Sequence, residues 1–407
     1  MHITILALGS TGDILPYIAL GRGLIEAGFQ VRFATFGLFE ERVVQRGLDF
    51  HPIPGDPRSL VAQGGSNIFS MARSFGSIAD QYTAALSASN LLETDLIINQ
   101  LPGGMFGRDL AEKAGVPMIQ AAVIPLVPTD QFPMMGFPEI PIPGINRMTY
   151  TLAEIAAWRL FGRGINRWRV DRLGLPALPR GEYFRSDWTV IAGFSPLVIE
   201  RPLEWGERVK ITGYWFPEDP VWQPSPELEK FLDEGPPPVF IGFGSMPVKD
   251  PALLTAMILT ALERTGQRAV LHSGWAGLGN TYLPGSVFSL DYAPYEWLFP
   301  KMALVIHHGG SGTTGFGLRA GVPSCAVGLG FDQIFWGKRI AALGAGPAPI
   351  PIKDLSPERL VRVIQQGVYN ETMQRNAAEI GRSIEKEDGI TKAVQTIIDF
   401  LTPPDNC

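Results

Sequence analysis

The stretch A-L-V-I-H-H-G-G-S-G-T-T-G-F-G-L-R-A-G, Ala303 to Gly321, decides how the rest of the chain is read. Val305 and Ile306 favour a buried strand, and the glycines after His308 let the backbone turn tightly and approach a ligand with no Cβ between them. Ser311, Thr313 and Thr314 are candidates to cap the helix that follows. Such a loop aims several N–H groups outward at the positive end of a helix dipole, which suits a phosphate or diphosphate. Gly310, Gly312 and Gly315 also spell G-x-G-x-x-G after a strand, with Asp332 downstream in the manner of a ribose-binding acid. The loop alone therefore leaves three readings open: a nucleotide sugar site, a nicotinamide dinucleotide site, or an ordinary well-capped strand-to-helix turn.

Working outward, 407 residues exceed one ordinary core and fit two domains. The 34 basic and 40 acidic residues give a formal net charge of -6, which argues against a nucleic-acid partner while leaving small anions open to backbone amides. Cys325 and Cys407 are the only cysteines, so a disulfide framework and a thiolate metal cluster are both excluded. The apolar run at the start stops at Gly9 with no basic residues before it, and no segment reaches the length of a membrane span. A cytoplasmic protein is expected, in which the sequon at Asn370 is incidental.

Ile3 to Leu8 has the composition of a central parallel strand, and G-S-T-G-D at 9–13 turns it into a helix on which Ile14, Ile18, Gly21 and Ile25 share one face. Pro16 is placed in that helix's first turn, Gly28 at its end, and Gln30 to Thr35 as the second strand of a βαβ unit. Later strands are expected at 96–99, 118–123, 189–192 and 209–212. The aperiodic, proline-rich loop from Pro125 to Asn146 carries Met134, Met135 and Phe137, which fit either an apolar acceptor pocket or packing under a long loop. In the basic segment 150–173, Arg159, Arg163 and Arg167 share a helical face. A solvated outer face is the favoured reading there, with weak peripheral membrane contact as the alternative.

Residues 213–238 shift to Pro, Trp, Glu and Asp, and a second start follows at V-F-I-G-F-G-S-M-P from Val239. The predicted organisation is a first domain over 1–213, a linker over 214–237, a second domain over 238–388, and a terminal helix over 389–407 that packs back on the first domain. Alternating strands and helices in both halves predict an α/β chain of two doubly wound, Rossmann-like domains facing each other across a cleft.

Taken together, G-F-G-S-M at 242–246, S-G-W at 273–275, D-Y-A-P-Y-E-W-L-F-P at 291–300, H-H-G-G-S-G-T-T at 307–314, G-V-P at 321–323 and F-D-Q at 331–333 resemble the nucleotide-sugar half of the family 1 glycosyltransferases of GT-B fold, on the side of sterol and bacterial natural-product enzymes. G-S-T-G-D-I-L-P in the first half resembles that family's acceptor-side opening. The resemblance implies a donor diphosphate held by His307, Gly310, Ser311, Gly312 and Thr313, with Gly244 and Ser245 on a second loop and Ser10 and Thr11 facing from the first domain. It further implies a base held near Trp275, Tyr292 and Ala293, sugar hydroxyls read by Asp332 and Gln333, and Asp13 as the catalytic base. Thr11 stands where many bacterial relatives carry arginine, so a cationic contact from that loop is absent.

The implied reaction moves a sugar, glucose in the first instance, from a UDP- or TDP-sugar co-substrate to the hydroxyl of an apolar small molecule, with inversion and without metal. His307 and His308 do not read as a metal pair, because adjacent strand residues point to opposite faces. Read alone, Asp13 between a glycine turn and a helix is equally an ordinary helix cap. A nucleotide-sugar epimerase and a nicotinamide oxidoreductase remain the alternatives at this level. The sugar, the acceptor and the oligomeric state stay open.

Overall fold

The computed structural model describes residues 1–402 apart from 57–80, 88, 102–105, 185–187, 219–221, 245–247, 249, 275, 276, 280, 329 and 331. The chain forms two units. The first comprises Met1–Phe194, Arg201–Pro217 and the chain from Asp388 onward, and the second comprises Ser195–Glu200 and Glu218–Glu387.

The first unit carries seven parallel strands: β1 (His2–Leu6), β2 (Gln30–Phe36), β3 (Asp49–Ile53), β4 (Leu96–Leu101), β5 (Met118–Ala122), β6 (Thr189–Ala192) and β7 (Val209–Ile211). Their order is β3-β2-β1-β4-β5-β6-β7, with Leu6 paired to Ala34 on one side and to Asn99 on the other. The chain fills one side of β1 first and then returns to its other side at β4. That places the topological switch point between β1 and β4, where ligands of doubly wound sheets gather at the carboxyl ends of the strands. Helix α1 (Thr11–Glu26) starts there. It is buried at Ile14, Tyr17, Ile18, Leu20, Gly21 and Leu24, a wider face than the one-sided stripe read from sequence, with Ile25 only half-buried. Pro16 falls at the sixth helical position rather than in the first turn, because the helix begins at Thr11.

The connections of this unit add α2 (Gly107–Ala114) and α3 (Ile145–Trp168), the latter continuing as a π-turn over Arg169–Leu173. α3 passes through Gly162, where the ring of Trp158 occupies the room a side chain would need, 2.6 Å from an added Cβ. The loop before α3 is tied down rather than free. Asn146 donates to the Asp130 carbonyl at 3.0 Å, and Thr129 and the Asp130 N–H both donate to Glu204.

The main segment of the second unit opens with α4 (Pro226–Asp233), capped by the Ser225 hydroxyl and anchored by buried Leu228. Part of the stretch read as linker is therefore domain structure: Pro226 and Glu227 obey the start rules of a helix, and its apolar side packs. Six parallel strands follow: β8 (Val239–Gly242), β9 (Ala269–His272), β10 (Val287–Leu290), β11 (Leu304–His307), β12 (Ser324–Gly328) and β13 (Ile350–Pro351). Their order is β10-β9-β8-β11-β12-β13, which puts this unit's switch point between β8 and β11. Both faces of the sheet are covered. Val239, Ile241 and Ile306 join one apolar cluster, whereas the alternating neighbours Phe240 and Val305 join the other.

The longer helices that follow α4 in this unit are α5 (Pro251–Thr265), α6 (Ser311–Arg319), α7 (Asp332–Ala342), α8 (Pro357–Tyr369) and α9 (Glu371–Glu385). Residues 195–200, assigned to the first domain from sequence, belong here. Arg339 holds the Val198 carbonyl through Nε at 2.8 Å and a terminal nitrogen at 2.6 Å, and Ser195 donates to Glu387 at 2.7 Å. The last helix, α10 (Gly389–Leu401), packs on α1 within the first unit, where side-chain-free Gly23 admits Ile390.

Candidate active site

At the switch point of the first unit, β1 runs into Gly9 with φ +151, and a Cβ there would lie 2.6 Å from the Asp13 side chain. Glycine is what lets the turn fold over that carboxylate. The N-cap of α1 is Ser10, so Asp13 is not the cap itself but the third helical residue reaching back to it. Its Oδ2 accepts the Ser10 N–H and the Ser10 hydroxyl, both at 2.8 Å, while Oδ1 takes no hydrogen bond among the described residues. Gln100 on neighbouring β4 locks the turn by accepting the Leu8 N–H at 2.7 Å and donating to the Asp13 carbonyl at 3.3 Å. Burial raises the Asp13 carboxyl above its ordinary value, and the two bonds from Ser10 offset this only in part. One carboxylate oxygen is thus held and the other left to act, on a group made more basic than a solvated aspartate. Thr11 stands half-buried at the first position of the same helix.

At the switch point of the second unit, β11 ends at His307 and α6 starts at Ser311, with Gly310 as N-cap and no side chain capping the helix end among the described residues. Ser311, Thr313 and Thr314 are inside the helix rather than capping it, and its first internal bond runs from the Thr314 N–H to the Gly310 carbonyl. An uncapped N-terminus keeps its amides for an incoming anion. Gly309, at φ +89, is indispensable because a Cβ would lie 2.5 Å from the Gln333 carbonyl oxygen. The same contact brings the start of α7, with Asp332 and Gln333, against the loop.

The two histidines have separate environments. His307 is fully enclosed, and its Nδ1 accepts the Gly309 N–H at 3.0 Å. That bond fixes the neutral tautomer protonated at Nε2, an atom buried without a partner among the described residues. His307 therefore braces the turn through Nδ1 and keeps an unused donor at Nε2. His308, which sequence reasoning set aside, is only half-buried. Its ring lies between the two phosphate-loop candidates, 3.2 Å from a Cβ built on Gly244 and 2.5 Å from one on Gly310. Burial and a neighbouring imidazole push His307 down to about 3 and His308 down to about 4. Both rings are neutral near pH 7, so they act as hydrogen-bonding groups rather than cations.

His272, at the end of β9, completes the group. Its Nε2 is 3.0 Å from the Asp291 carbonyl oxygen, and the adjacent Ser273 hydroxyl donates to the Asp291 carboxylate at 2.7 Å. These bonds bring the Asp291–Ala293 turn to the end of β9, with Tyr292 45% exposed and Ala293 buried. Tyr295 instead stacks on Phe299 at 4.3 Å inside the core. Ser245 and Trp275 lie outside the described residues. The structure thus gathers Gly244, His308, Gly310, Ser311 and Gln333 in one unit, and Ser10, Thr11 and Asp13 in the other. Among the acceptor candidates, Met135 is enclosed in the first unit, and only Met134 and Phe137 present surface. A histidine at or just past the end of a strand, beside a glycine turn, was the signal available for His272 and His308.

Comparison with known proteins agrees with this arrangement. Residues 3–133 match the glycosyltransferase family 28 N-terminal domain, and residues 257–399 match the C-terminal domain of erythromycin biosynthesis protein CIII-like enzymes. Among solved structures, the glycosyltransferase of kitacinnamycin shares the fold with a TM-score of 0.77 at 17% identity over 98% of both chains. Two doubly wound sheets with these neighbours define a two-domain GT-B glycosyltransferase fold. The sterol 3-beta-glucosyltransferase UGT80B1 of Arabidopsis thaliana is 35% identical over 99% of this chain and 68% of its own length. The sterol 3-beta-glucosyltransferase of Aspergillus terreus is 34% identical over 98% of this chain but only 30% of its own length. The chain belongs to the family 1 glycosyltransferases of GT-B fold, and it is a glycosyltransferase. The epimerase and nicotinamide readings are not favoured. A dinucleotide fingerprint ordinarily follows the first strand of its domain, whereas Gly310 follows β11, the fourth.

Proposed function

We propose that the chain transfers a sugar, glucose in the first instance, from a nucleotide diphosphate sugar to the hydroxyl of an apolar acceptor of sterol kind, by a single inverting displacement without a divalent metal. The observation that carries this reading is the uncapped N-terminus of α6 beside the neutral, half-buried ring of His308. Amides and a neutral imidazole stabilise the negative charge that grows on the departing diphosphate, the task a metal performs in other transferases. The glucosyl and sterol assignments follow the names of the relatives.

Asp13 is assigned the acceptor's proton. Its carboxylate takes that proton as the hydroxyl oxygen attacks the anomeric carbon and the bond to the diphosphate breaks, so that the nucleoside diphosphate leaves from the opposite face. The uncapped amides of α6 with His308, Gly244 and Gly310 are assigned the diphosphate, Tyr292 and Ala293 the base, and Asp332 and Gln333 the sugar hydroxyls. Met134 and Phe137 are assigned to the acceptor.

The test is incubation with UDP- and TDP-sugars against a panel of sterols and other apolar alcohols, reading free nucleoside diphosphate and the product's anomeric configuration. Inverted glycoside forming equally well in EDTA is expected. Retained configuration, or activity abolished by EDTA and restored by manganese, would overturn the mechanism. Replacing His308 by alanine is expected to weaken donor affinity on the order of 10- to 100-fold, the worth of one hydrogen bond to a charged group. His307→Gln, by contrast, should act through loop order. Equal donor affinity in His308→Ala and wild type, measured by calorimetry, would remove the ring from the diphosphate site.

A further inference from the structure

We propose that the solvent face of α3 is a docking surface for an anionic lipid bilayer. At 100° per residue, Met148, Leu152, Ala156, Arg159, Arg163 and Arg167 fall along one stripe of this helix, about 28 Å long. All six are exposed, with Met148 at 50% and Leu152 at 46%. The stripe is divided along its length, apolar toward its start and basic toward its end. Ile142, in the loop just before the helix, extends the apolar end with 57% exposure.

Three features separate this face from an ordinary solvated one. Several surface arginines are matched with carboxylates, Arg22 with Glu26, Arg201 with Glu207, Arg264 with Glu358, and Arg375 with Glu371, whereas α3 carries three unmatched ones in a row. Arg159, Arg163 and Arg167, on successive turns, have neither an ion pair nor a side-chain hydrogen bond among the described residues. Local charge also opposes the chain's own balance. Apart from Arg169, which is buried and paired, residues 145–173 hold five arginines against Glu154 and Asp171, in a protein whose net charge is -6. An anionic surface is thus attracted to this face and repelled by the chain as a whole, which selects the orientation of approach.

A groove supplies the third feature. The Trp158 ring lies over Gly162, and the open groove runs past Trp158, Arg159, Gly162, Arg163, Asn166 and Arg167. A phosphate headgroup seated in it meets guanidinium groups from successive turns, while Met148 and Leu152 enter the headgroup–acyl boundary. An apolar patch alone would fit a second copy of the chain as well. The unpaired arginine row beside it is what favours lipid.

The test uses the whole chain with vesicles of phosphatidylcholine alone and of the same lipid mixed with phosphatidylglycerol, read by co-sedimentation. Wild type is expected to bind only the anionic vesicles and to be released by salt. Arg159→Gln, Arg163→Gln and Arg167→Gln combined should weaken partitioning on the order of 100-fold. Met148→Ser with Leu152→Ser should weaken it without changing the salt dependence. Both variants alter exposed positions, and unchanged circular dichroism and unchanged turnover of a water-soluble acceptor verify that they are folded. Equal binding of wild type to both vesicles, no binding to either, or wild-type binding by the arginine variant overturns the proposal. So does concentration-dependent self-association that the arginine variant loses, which would make the occupant a second copy.

Discussion

Asp13→Asn is expected to lower kcat by about 10²- to 10⁴-fold while leaving donor affinity within about threefold of wild type. The amide keeps the shape of the carboxylate, and its Oδ1 can still accept the bonds that Oδ2 receives from Ser10, so α1 keeps its start. What disappears is the capacity to take a proton. The pH dependence follows from the same group. Burial raises its carboxyl above the ordinary 3.8, so the protonated, inactive form persists to higher pH than in a solvated aspartate. Activity is therefore lost as pH falls through that raised value, and the acid limb lies above the ordinary aspartate range. Ser10→Ala removes one of the two bonds favouring the charged form and moves the limb higher still. Turnover in Asp13→Asn equal to wild type, or an acid limb in the ordinary aspartate range, would return Asp13 to a purely structural role.

The second large effect concerns stability. Arg169 is fully buried at the π-turn after α3, where it pairs with buried Asp109 and with both oxygens of Glu112 at 3.0 Å, and donates to the Pro176 carbonyl at 2.9 Å. Tyr183 donates to the other Asp109 oxygen at 3.2 Å. This network fastens α2 to the end of α3. Arg169→Ala leaves a carboxylate buried without its counter-charge, and a loss of about 3–5 kcal/mol is expected.

Asp109→Asn should cost clearly less. Burial pushes the Asp109 carboxyl up to about 6 even with Arg169 alongside, so desolvation of its charge outweighs the attraction. A folded-state value above the unfolded one means that the neutral form is favoured in the fold. The stability it contributes is present below about 3.8 and is lost as pH rises to about 6. Urea midpoints of the two variants at pH 7.5 and 5 separate these terms, and equal losses in both variants at both pH values would contradict this account.

Much of the chain was legible before folding because parallel strands buried on both faces read as short apolar runs. Thr189–Ala192 is a strand with the very bounds its residues suggested, and the strands expected at 96–99, 118–123 and 209–212 end within two residues of theirs. β3 and β12 escaped notice: D-F-H-P-I carries a proline and a histidine, and S-C-A-V-G is short and small. The helix within the expected linker was hidden by the prolines around it, although Ser225-Pro226-Glu227 is itself a start signal.

By itself, the sequence determined the two glycine turns, the alternation of strand and helix in each half, and the candidacy of Asp13 and of the 307–314 loop. These are local properties, set by backbone sterics, side-chain period and charge within a few residues. The tertiary structure decided which member of each local set faces outward. Adjacent His307 and His308 are chemically identical on paper, yet pairing of β11 between β8 and β12 encloses one ring and leaves the other between Gly244 and Gly310. In the same way, it drew 195–200 into the second unit through Arg339 and raised the Asp13 carboxyl by burying it, because burial and long-range hydrogen bonds depend on residues far apart in the chain.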